Sequence, residues 1–149
     1  MDAVDRAILF QLQQDGRLSN VDLSARVGLS PTPCLRRVRN LEEAGIIQGY
    51  HADLDPTAIG RGFQVLVQAN MMIKDQSTIE AFEDQVREFP EIVECRRMFG
   101  DPDYVIWVAT TDADAYERFY MTKLTNLPGV ARMNSQMTMK MVKERTLTL

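Results

Sequence analysis

The residues best suited to chemistry lie between positions 30 and 40, and the chemistry they fit is contact with duplex DNA. Arg36, Arg37 and Arg39 occur within four residues, with no acidic residue among them. Arginine donates to guanine O6 and N7 or to phosphate, asparagine pairs with adenine, and a threonine methyl contacts the thymine methyl. Because Thr32 and Asn40 flank the arginines, the segment holds all three residue types.

Catalytic and metal-binding sets are not recognisable in the sequence. Cys34 and Cys95 have no Cys or His partner at ligand spacing, and His51 is the only histidine. No Ser-His-Asp set, Walker motif or glycine-rich phosphate loop occurs. We therefore predict no catalytic residue, no metal and no cofactor. The two cysteines lie in apolar-patterned segments, which favours reduced, buried thiols of a cytosolic protein.

Two short helices are predicted ahead of the arginine segment. The first ends at Asp15-Gly16, and the second runs from Ser19, a good N-cap, to Gly28. Their apolar residues recur at helical spacing, which predicts one buried face on each helix. These residues are Val4, Ile8, Leu9 and Leu12 in the first helix and Leu23 and Val27 in the second.

The third predicted helix carries the arginines. Ser30 is its expected N-cap, Pro31 occupies the first helical position, and the helix runs to Glu43. Pro33 has no N–H group, so we expect the Ser30 hydroxyl to accept a hydrogen bond from the N–H of Thr32.

A helical wheel of about 100° per residue separates the third helix into two faces. The predicted buried face consists of Cys34, Leu35, Val38 and Leu41. The opposite face presents Thr32, Pro33, Arg36 and Asn40, with Arg37 and Arg39 at its flanks. A short helix, a tight turn and a third helix with a cationic outer face are typical of a helix-turn-helix. The same pattern also fits a three-helix scaffold whose arginines are merely solvated.

The second half predicts a sheet with two helices in the order βαββαβ. Strands are predicted over 63–73, 92–99 and 104–109, with helices capped by Ser77 and by Asp112 or Asp114. The last strand has methionine at alternate positions, namely Met133, Met137, Met139 and Met141. The predicted fold class is α+β: a three-helix, winged-type helix-turn-helix domain (1–50), a linker (51–62), and a ferredoxin-like sandwich (63–149).

Two helices can cover only one face of a four-stranded sheet. The other face needs a partner, most simply the same sheet of a second copy. We expect the methionine strand either to take part in that interface or to fill the core of one subunit, because methionine packs adaptably in both settings.

Composition limits the class of protein. The chain has 149 residues, 45% of them apolar and 26% charged, which excludes a wholly disordered chain. No apolar stretch approaches the roughly 20 residues of a membrane span, and no secretory leader is recognisable. Residues 1–49 hold six arginines and six acids, while the remainder holds 11 basic and 15 acidic residues, which gives the net charge of −4. A cationic patch is therefore local.

The motifs of both halves resemble the Lrp/AsnC (feast/famine) family of transcription regulators. The resemblance covers nearly the whole chain, with its motifs in the family's order. They are Asp15-Gly16-Arg17-Leu18-Ser19-Asn20, Val27-Gly28-Leu29-Ser30-Pro31-Thr32-Pro33-Cys34, Arg36-Arg37, Leu41-Glu42, Gly45-Ile46-Ile47, Phe99-Gly100-Asp101-Pro102-Asp103-Tyr104 and Leu127-Pro128-Gly129-Val130.

The resemblance implies a cytoplasmic regulator that binds double-stranded DNA. On the outer face of the third helix we predict the base contacts to be Thr32, Pro33, Arg36, Arg37 and Asn40. Ser30 is included among the DNA-binding residues, and Arg39 is expected to reach phosphate or nothing. It also implies dimers formed through the second domain, with further assembly into tetramers or octamers. Small effectors of this family, usually amino acids, bind near a Gly-Asp-x-Asp-Tyr loop, which here is Gly100, Asp101, Asp103 and Tyr104.

An aspartate of this loop suits the ammonium group of an amino acid, and backbone N–H groups beside Gly100 suit its carboxylate. Pro102 occupies the variable position and removes one such donor. The alternative is that Asp101-Pro102-Asp103 only forms a tight turn.

Two other functions fit parts of the sequence. Certain haem-precursor decarboxylases resemble this family, but a single histidine in the linker does not suit a tetrapyrrole pocket. A small-molecule sensor whose helical domain binds protein instead of DNA is the other alternative, and a gel shift at two salt concentrations distinguishes it.

Overall fold

The computed structural model describes residues 1–140 and 142–143, and the chain forms two compact units. The first comprises Met1–Asp53 and the second begins at Leu54, a division that falls inside the predicted linker. No helix in the described ranges is long and apolar enough to cross a bilayer. The predicted strand position Met141 lies outside the described residues.

The first unit consists of three helices: α1 (Ala3–Gln14), α2 (Asn20–Arg26) and α3 (Pro31–Glu43). Ser19 caps α2 as predicted, because its side chain accepts from the N–H of Asp22. Gly28 has φ +70°, which glycine adopts without a steric penalty, so the chain turns there between α2 and α3. The buried core of this unit contains Ile8, Leu9, Leu23, Cys34 and Leu41.

The predicted cap of α3 is wrong in detail. Ser30 stands at the N-cap position, but its side chain makes no capping hydrogen bond. Pro31 and Pro33 leave few N–H groups in reach of the hydroxyl, and the first turn is closed by the backbone, where the N–H of Cys34 donates to the Ser30 carbonyl at 3.2 Å.

The second unit has the predicted βαββαβ order. Its elements are β1 (Phe63–Met71), α4 (Gln76–Glu88), β2 (Ile92–Arg97), β3 (Tyr104–Thr110), α5 (Ala113–Thr122), a short 3-10 helix (Leu124–Asn126) and β4 (Val130–Met137). The strands form one antiparallel sheet in the order β2-β3-β1-β4. This arrangement confirms the ferredoxin-like sandwich.

β1, α4 and β2 have boundaries that differ from the sequence prediction because other groups compete for the backbone. β2 ends at Arg97 and not at Phe99, since the N–H of Met98 donates to the Asp103 carbonyl in the following loop. β1 ends before Ile73, since the N–H groups of Met72 and Ile73 turn to the carbonyl of Gly129, at 2.8 and 3.4 Å. The cap of α4 is Asp75 and not Ser77. The Asp75 carboxylate accepts from the N–H of Thr78 at 3.0 Å and from the Ser77 hydroxyl at 2.5 Å.

The helices cover one face of the sheet. Alternate residues of β1 are buried there against the helices, where they meet Phe82 and Val86 of α4 and Phe119 of α5. The strand residues of this core are Val65, Val67, Ala69, Met71, Tyr104, Ile106 and Val108.

The methionine strand does not supply the open face of the sheet. Met133 pairs with Ala69 and Met137 with Val65 across the strands, so both lie on the side that the helices cover. Met133 packs on the core, whereas Met137 is 71% exposed near the end of β4. Of the two expectations, core filling holds for Met133. Met139 lies beyond the strand.

Candidate nucleic-acid interface and effector loop

The exposed side of α3 brings together five of the residues discussed above. Thr32, Leu35, Arg36, Arg39 and Asn40 line a shallow depression of about 410 Å³, which Glu43 closes at the C-terminal end of the helix. We call this set the α3 surface. Within the described part of the chain neither Arg36 nor Arg39 makes an ion pair, so both charges face solvent.

Leu35 is placed differently from the prediction. The helical wheel predicts it on the buried face, but it is 38% exposed and lines the depression with the arginines. Cys34 and Leu41 fill the interior of the unit, and Leu35 lies about 100° around the helix from Cys34, at the border of the two faces. The α3 surface therefore contains one large apolar side chain among its polar ones.

Arg37 points away from the α3 surface. Its guanidinium donates to the carboxylates of Asp2 and Asp5, both at 2.8 Å. Asp2 and Asp5 also form a reciprocal capping box at the start of α1. Hydrogen bonds from the N–H of Asp5 and from Arg37 hold the pKa of Asp2 below its usual value, and the two carboxylates raise the pKa of Arg37. This arrangement fastens α3 to α1.

Ser30 and Pro33 do not line the depression. Ser30 is exposed at the start of α3, and its hydroxyl is not used in capping. Pro33 is half-buried. Their contact with DNA stays a prediction.

The loop between β2 and β3, residues 98–103, carries most of the predicted effector residues, and we call it the Gly100 loop. The N–H of Met98 donates to the Asp103 carbonyl at 2.7 Å, which closes the loop at its base. Gly100 has φ +138°, a conformation that L side chains rarely adopt, and Asp101 is exposed and accepts from the side-chain amide of Asn70.

The Asp103 carboxylate is bound by two donors of the protein. Its carboxylate accepts from the backbone N–H of Met71 at 2.8 Å and from the Lys74 ammonium at 2.7 Å. These two donors, Lys74 first, hold the pKa of Asp103 below its usual value. The Asp103 side chain is only 17% exposed. Its donors leave Asp101 as the more accessible carboxylate of the loop.

Tyr104 lies on the helix-covered side of the sheet, away from the exposed part of the loop. It is buried against Phe82, with 4.5 Å between ring centroids, and its hydroxyl donates to Glu83 Oε1 at 2.8 Å. Burial first, and then this hydrogen bond, raise the pKa of Tyr104 to about 12. The four predicted effector residues thus do not form one cluster. Gly100 and Asp101 are exposed, Asp103 is fastened to β1, and Tyr104 belongs to the core.

Sequence reasoning missed Glu83. Its carboxylate accepts from Tyr104 and lies 3.2 Å from Arg97 Nη1 and 3.6 Å from Arg87 Nη2. These residues line a depression of about 340 Å³ together with Val86 and Cys95. The spacing of Glu83 and Arg87 could have shown a helical ion pair. The contacts to Arg97 and Tyr104 depend on strand register and carry no signal in the sequence.

Neither cysteine belongs to a metal-holding cluster among the described residues. Both cysteines are free thiols, Cys34 buried and Cys95 half-buried. Burial first, and then the charge of Glu83, raise the pKa of Cys95 to about 11, so its thiol stays protonated near neutral pH. In the described ranges no three His, Cys, Asp or Glu side chains are grouped to hold a metal ion.

The open face of the sheet is partly apolar. Leu66 and Val105 lie on it beside Trp107, because they alternate with the buried residues of β1 and β3. The Arg96 guanidinium lies over the Trp107 ring, 5.8 Å from its centroid. Leu66, Val105 and Trp107 are half-buried, and no element of the second unit packs over them among the described residues.

Comparison with known proteins links both units to regulators of transcription. The family "Lrp/AsnC ligand binding domain" matches residues 64–148, and the family "Winged helix-turn-helix DNA-binding" matches residues 1–48. The leucine-responsive regulatory protein of Escherichia coli K12 is 43% identical over 144 residues, which cover 97% of this chain and 88% of that protein. The protein of the same name from Klebsiella pneumoniae has the same identity and coverage.

Solved structures give the same result. A transcriptional regulator from Neisseria meningitidis, crystallised as a complex with L-Met, superimposes with a TM-score of 0.93 and 38% identity, covering 98% of this chain and 94% of that one. An AsnC family transcriptional regulator from Agrobacterium tumefaciens superimposes with a TM-score of 0.92 and 37% identity, covering 100% and 97% of the two chains.

Proposed function

The chain belongs to the Lrp/AsnC family of DNA-binding transcriptional regulators, and from that premise we propose that its α3 surface reads the major groove while the Gly100 loop binds an amino acid. Members of the family are regulators that combine a DNA-binding and a ligand-binding domain, and they are not enzymes. The proposal therefore concerns three points: which groups contact DNA, which effector binds, and how the subunits assemble.

One observation carries the DNA-binding proposal. Arg36 and Arg39 are exposed side by side on α3, without ion-pair partners in the described ranges, while Cys34 and Leu41 bury the other side of the same helix. A helix held in this way can enter the major groove with its polar side toward the bases. Arg36 and Asn40 are the proposed base contacts, Thr32 contacts a thymine methyl, and Arg39 contacts a base or phosphate.

Other predicted contacts take supporting roles. The Ser30 hydroxyl makes no capping hydrogen bond and can donate to a phosphate oxygen at the start of α3, and Pro33 borders that contact. Arg37 is bound to Asp2 and Asp5. We assign it to positioning α3 and not to reading bases.

The Gly100 loop is the proposed effector site. The N. meningitidis relative was crystallised with L-Met, and this chain offers complementary groups in its loop. Asp101 is exposed and suits an ammonium group, and the backbone at Gly100 approaches a ligand without a side chain in the way. Because Asp103 is held by Lys74 and Met71, we assign to it the shape of the loop and to Asp101 the ionic contact.

The assembly follows from the open sheet face. Leu66, Val105 and Trp107 form an apolar strip that the same strip of a second copy covers in the proposed dimer. Tetramers or octamers of such dimers, in the cytoplasm, complete the proposal. Where effector binding changes the affinity of the assembly for DNA, DNA changes its affinity for the effector by the same factor.

Selection from random duplexes tests the DNA-binding proposal. We expect the full chain to enrich a two-fold symmetric sequence, and we expect log affinity to fall linearly with log salt concentration. Failure to enrich any duplex at low salt contradicts the proposal and favours a protein partner for the helical unit.

A thermal-shift screen of the twenty amino acids tests the effector proposal, since a ligand that binds only the folded state raises the melting temperature. We expect one or a few amino acids to raise the melting temperature, and the variant Asp101→Ala to lose this shift.

Light scattering of the same samples gives the mass of the assembly, and a monomer at all concentrations contradicts the proposed sheet interface.

A further inference from the structure

We propose that Glu83, on α4, is a positioning residue that sets the geometry of the Gly100 loop from outside the loop. The inference deepens the effector role proposed above and rests on it. It rests on one observation: the Glu83 carboxylate contacts both strand ends that flank the loop.

The two ends of the loop meet at Glu83. Arg97 is the last residue of β2 and Tyr104 the first of β3, and they are paired across the sheet. Glu83 Oε1 accepts from the Tyr104 hydroxyl at 2.8 Å and lies 3.2 Å from Arg97 Nη1. The bond from Met98 N–H to the Asp103 carbonyl, which closes the loop, comes directly after this pair. One side chain of α4 therefore holds both stems of the loop.

The charges around Glu83 explain why loss of its carboxylate moves the strand ends. Glu83 is flanked by two guanidiniums, those of Arg97 and Arg87, and its side chain is 27% exposed. Without the carboxylate the two cations face each other across the depression, and the hydroxyl of Tyr104, a residue only 2% exposed, loses its acceptor. A hydroxyl that has lost its acceptor, and two neighbouring cations with no carboxylate between them, both favour movement of the strand ends.

The core itself does not depend on Glu83. The Tyr104 ring packs on Phe82 at 4.5 Å between centroids, and Ile106 and Val108 of the same strand are buried. We therefore expect loss of the carboxylate to loosen the loop and not to unfold the domain. An amino acid that binds only the closed loop then binds more weakly, in proportion to the fraction of closed loop that is lost.

Hydrogen exchange of the full chain tests the positioning role directly. In Glu83→Ala we expect the Met98 amide to exchange about fivefold faster or more, because its hydrogen bond to the Asp103 carbonyl breaks each time the base of the loop opens. Glu83→Gln keeps an acceptor for Tyr104 without the charge, and we expect an intermediate rate. Exposed Glu88 lies on the same helix, and Glu88→Ala, the matched control, keeps the wild-type rate.

Tyr104→Phe keeps the inference testable if Glu83→Ala does not fold. It removes only the hydroxyl and leaves the ring on Phe82, and we expect faster exchange of the loop with a smaller change than in Glu83→Ala. Unchanged loop exchange in a folded Glu83→Ala or Tyr104→Phe protein overturns the positioning role.

The effector titration separates this inference from the proposed function. With the amino acid that shifts the wild-type melting temperature most, we expect Glu83→Ala to raise the apparent Kd about threefold or more and Glu88→Ala to leave it unchanged. If the wild type responds and Glu83→Ala responds equally, the inference is overturned while the effector role stands. If no amino acid shifts the wild type, the effector role is overturned, and the exchange rates alone decide whether Glu83 positions the loop.

Discussion

The Asp103 carboxylate accepts a hydrogen bond from the backbone N–H of Met71 at 2.8 Å, so the last residue of the Gly100 loop is fastened to the end of β1. Lys74 binds the other oxygen of the same carboxylate at 2.7 Å. A residue that the family resemblance places in the effector loop is thus also a structural tie. Its replacement must affect both the response to a ligand and the stability of the fold.

We expect Asp103→Ala to reduce both the amino-acid response and the stability of the protein, and the loss of stability to depend on pH. The pKa of Asp103 is below its usual value of 3.8 in the folded state, so the folded state favours the ionised form. That stabilisation is present above the unfolded-state pKa and is lost as the pH falls through the folded pKa. The stability difference between wild type and Asp103→Ala should therefore shrink on going from pH 6 to pH 3.

Urea unfolding at several pH values measures this difference. Asp53→Ala, at an exposed position, is the control and should follow the wild type throughout. A difference that stays constant between pH 6 and pH 3 would show that the ionised carboxylate is not the source of the stabilisation.

Arg36→Ala should remove the preference for the selected DNA sequence. Loss of a good base contact costs about 1–3 kcal/mol of discrimination, whereas the mass of the assembly should not change because Arg36 lies on the exposed α3 surface. Fluorescence anisotropy on the selected duplex and on a scrambled one measures the ratio. Arg6→Ala on α1, exposed outside the α3 surface, should keep the wild-type ratio, and a change below about twofold in Arg36→Ala contradicts the base contact.

Leu35 should contact a thymine methyl group. It is the large apolar side chain of the α3 surface, 38% exposed beside Arg36 and Arg39, and the thymine C5 methyl is the apolar group of the major groove. We expect replacement of one thymine by deoxyuridine to weaken wild-type binding by about three- to fivefold, the value of roughly one buried methyl group. Leu35→Ala should bind both duplexes equally.

Each thymine of the selected site is replaced in turn, and the two proteins are compared on each duplex. Val21→Ala, at an exposed apolar position of α2, should show the wild-type sensitivity. If Leu35→Ala retains the full deoxyuridine effect at every position, Leu35 does not make the contact.

Arg37→Ala should lower the stability of the helical unit without changing sequence preference. Its guanidinium joins α3 to the capping box of α1 through Asp2 and Asp5, so its removal loosens the position of α3 as a whole. We expect a lower melting temperature and weaker binding to all duplexes, with the ratio of selected to scrambled DNA within about twofold of the wild type.

Asp5→Asn is the partner variant in a double-mutant cycle. Because Arg37 and Asp5 act through one contact, their combined effect on stability should be smaller than the sum of the single effects. If Arg37→Ala instead lost binding only to the selected duplex, Arg37 would be shown to contact bases.

The sequence predicted most of what depends on local chemistry. The end of α3 at Glu43, the cap of α2 at Ser19 and the order of strands and helices were all recoverable from spacing and turn residues. The polar residues of the α3 surface were recoverable too, because one helix turn determines which residues share a side. Leu35, at the border of the two faces, was not.

The errors at Arg37 and Tyr104 arise where residues distant in the sequence determine the contacts. The Arg37 guanidinium is bound by Asp2 and Asp5, more than thirty positions earlier in the chain, and therefore points away from the α3 surface. Tyr104 faces the core because β3 alternates, although it follows an exposed loop. The sequence pattern shows neither the partner of a long side chain nor the face on which a strand begins, so Glu83 went unnoticed for the same reason.

Gly129→Ala should destabilise the second unit more than Gly28→Ala destabilises the first, although both glycines have nearly the same φ, +71° and +70°. At Gly28 an added Cβ meets nothing within 4 Å, so only the backbone conformation costs free energy, about 1–2 kcal/mol. At Gly129 the added Cβ would lie 2.3 Å from Thr78 Cγ2 and 3.2 Å from the Ile73 carbonyl oxygen.

The close approach has a structural reason, since the Gly129 carbonyl accepts the N–H of Met72 at the end of β1. Moving Thr78 also disturbs the start of α4, where its N–H is bound by Asp75. We expect Gly129→Ala to cost about 1–3 kcal/mol beyond the backbone term, measured by urea unfolding of both variants. Equal losses of unfolding free energy at the two positions would mean that α4 and the turn before β4 can move apart at no cost in free energy. That result would contradict the close packing of Gly129 against Thr78.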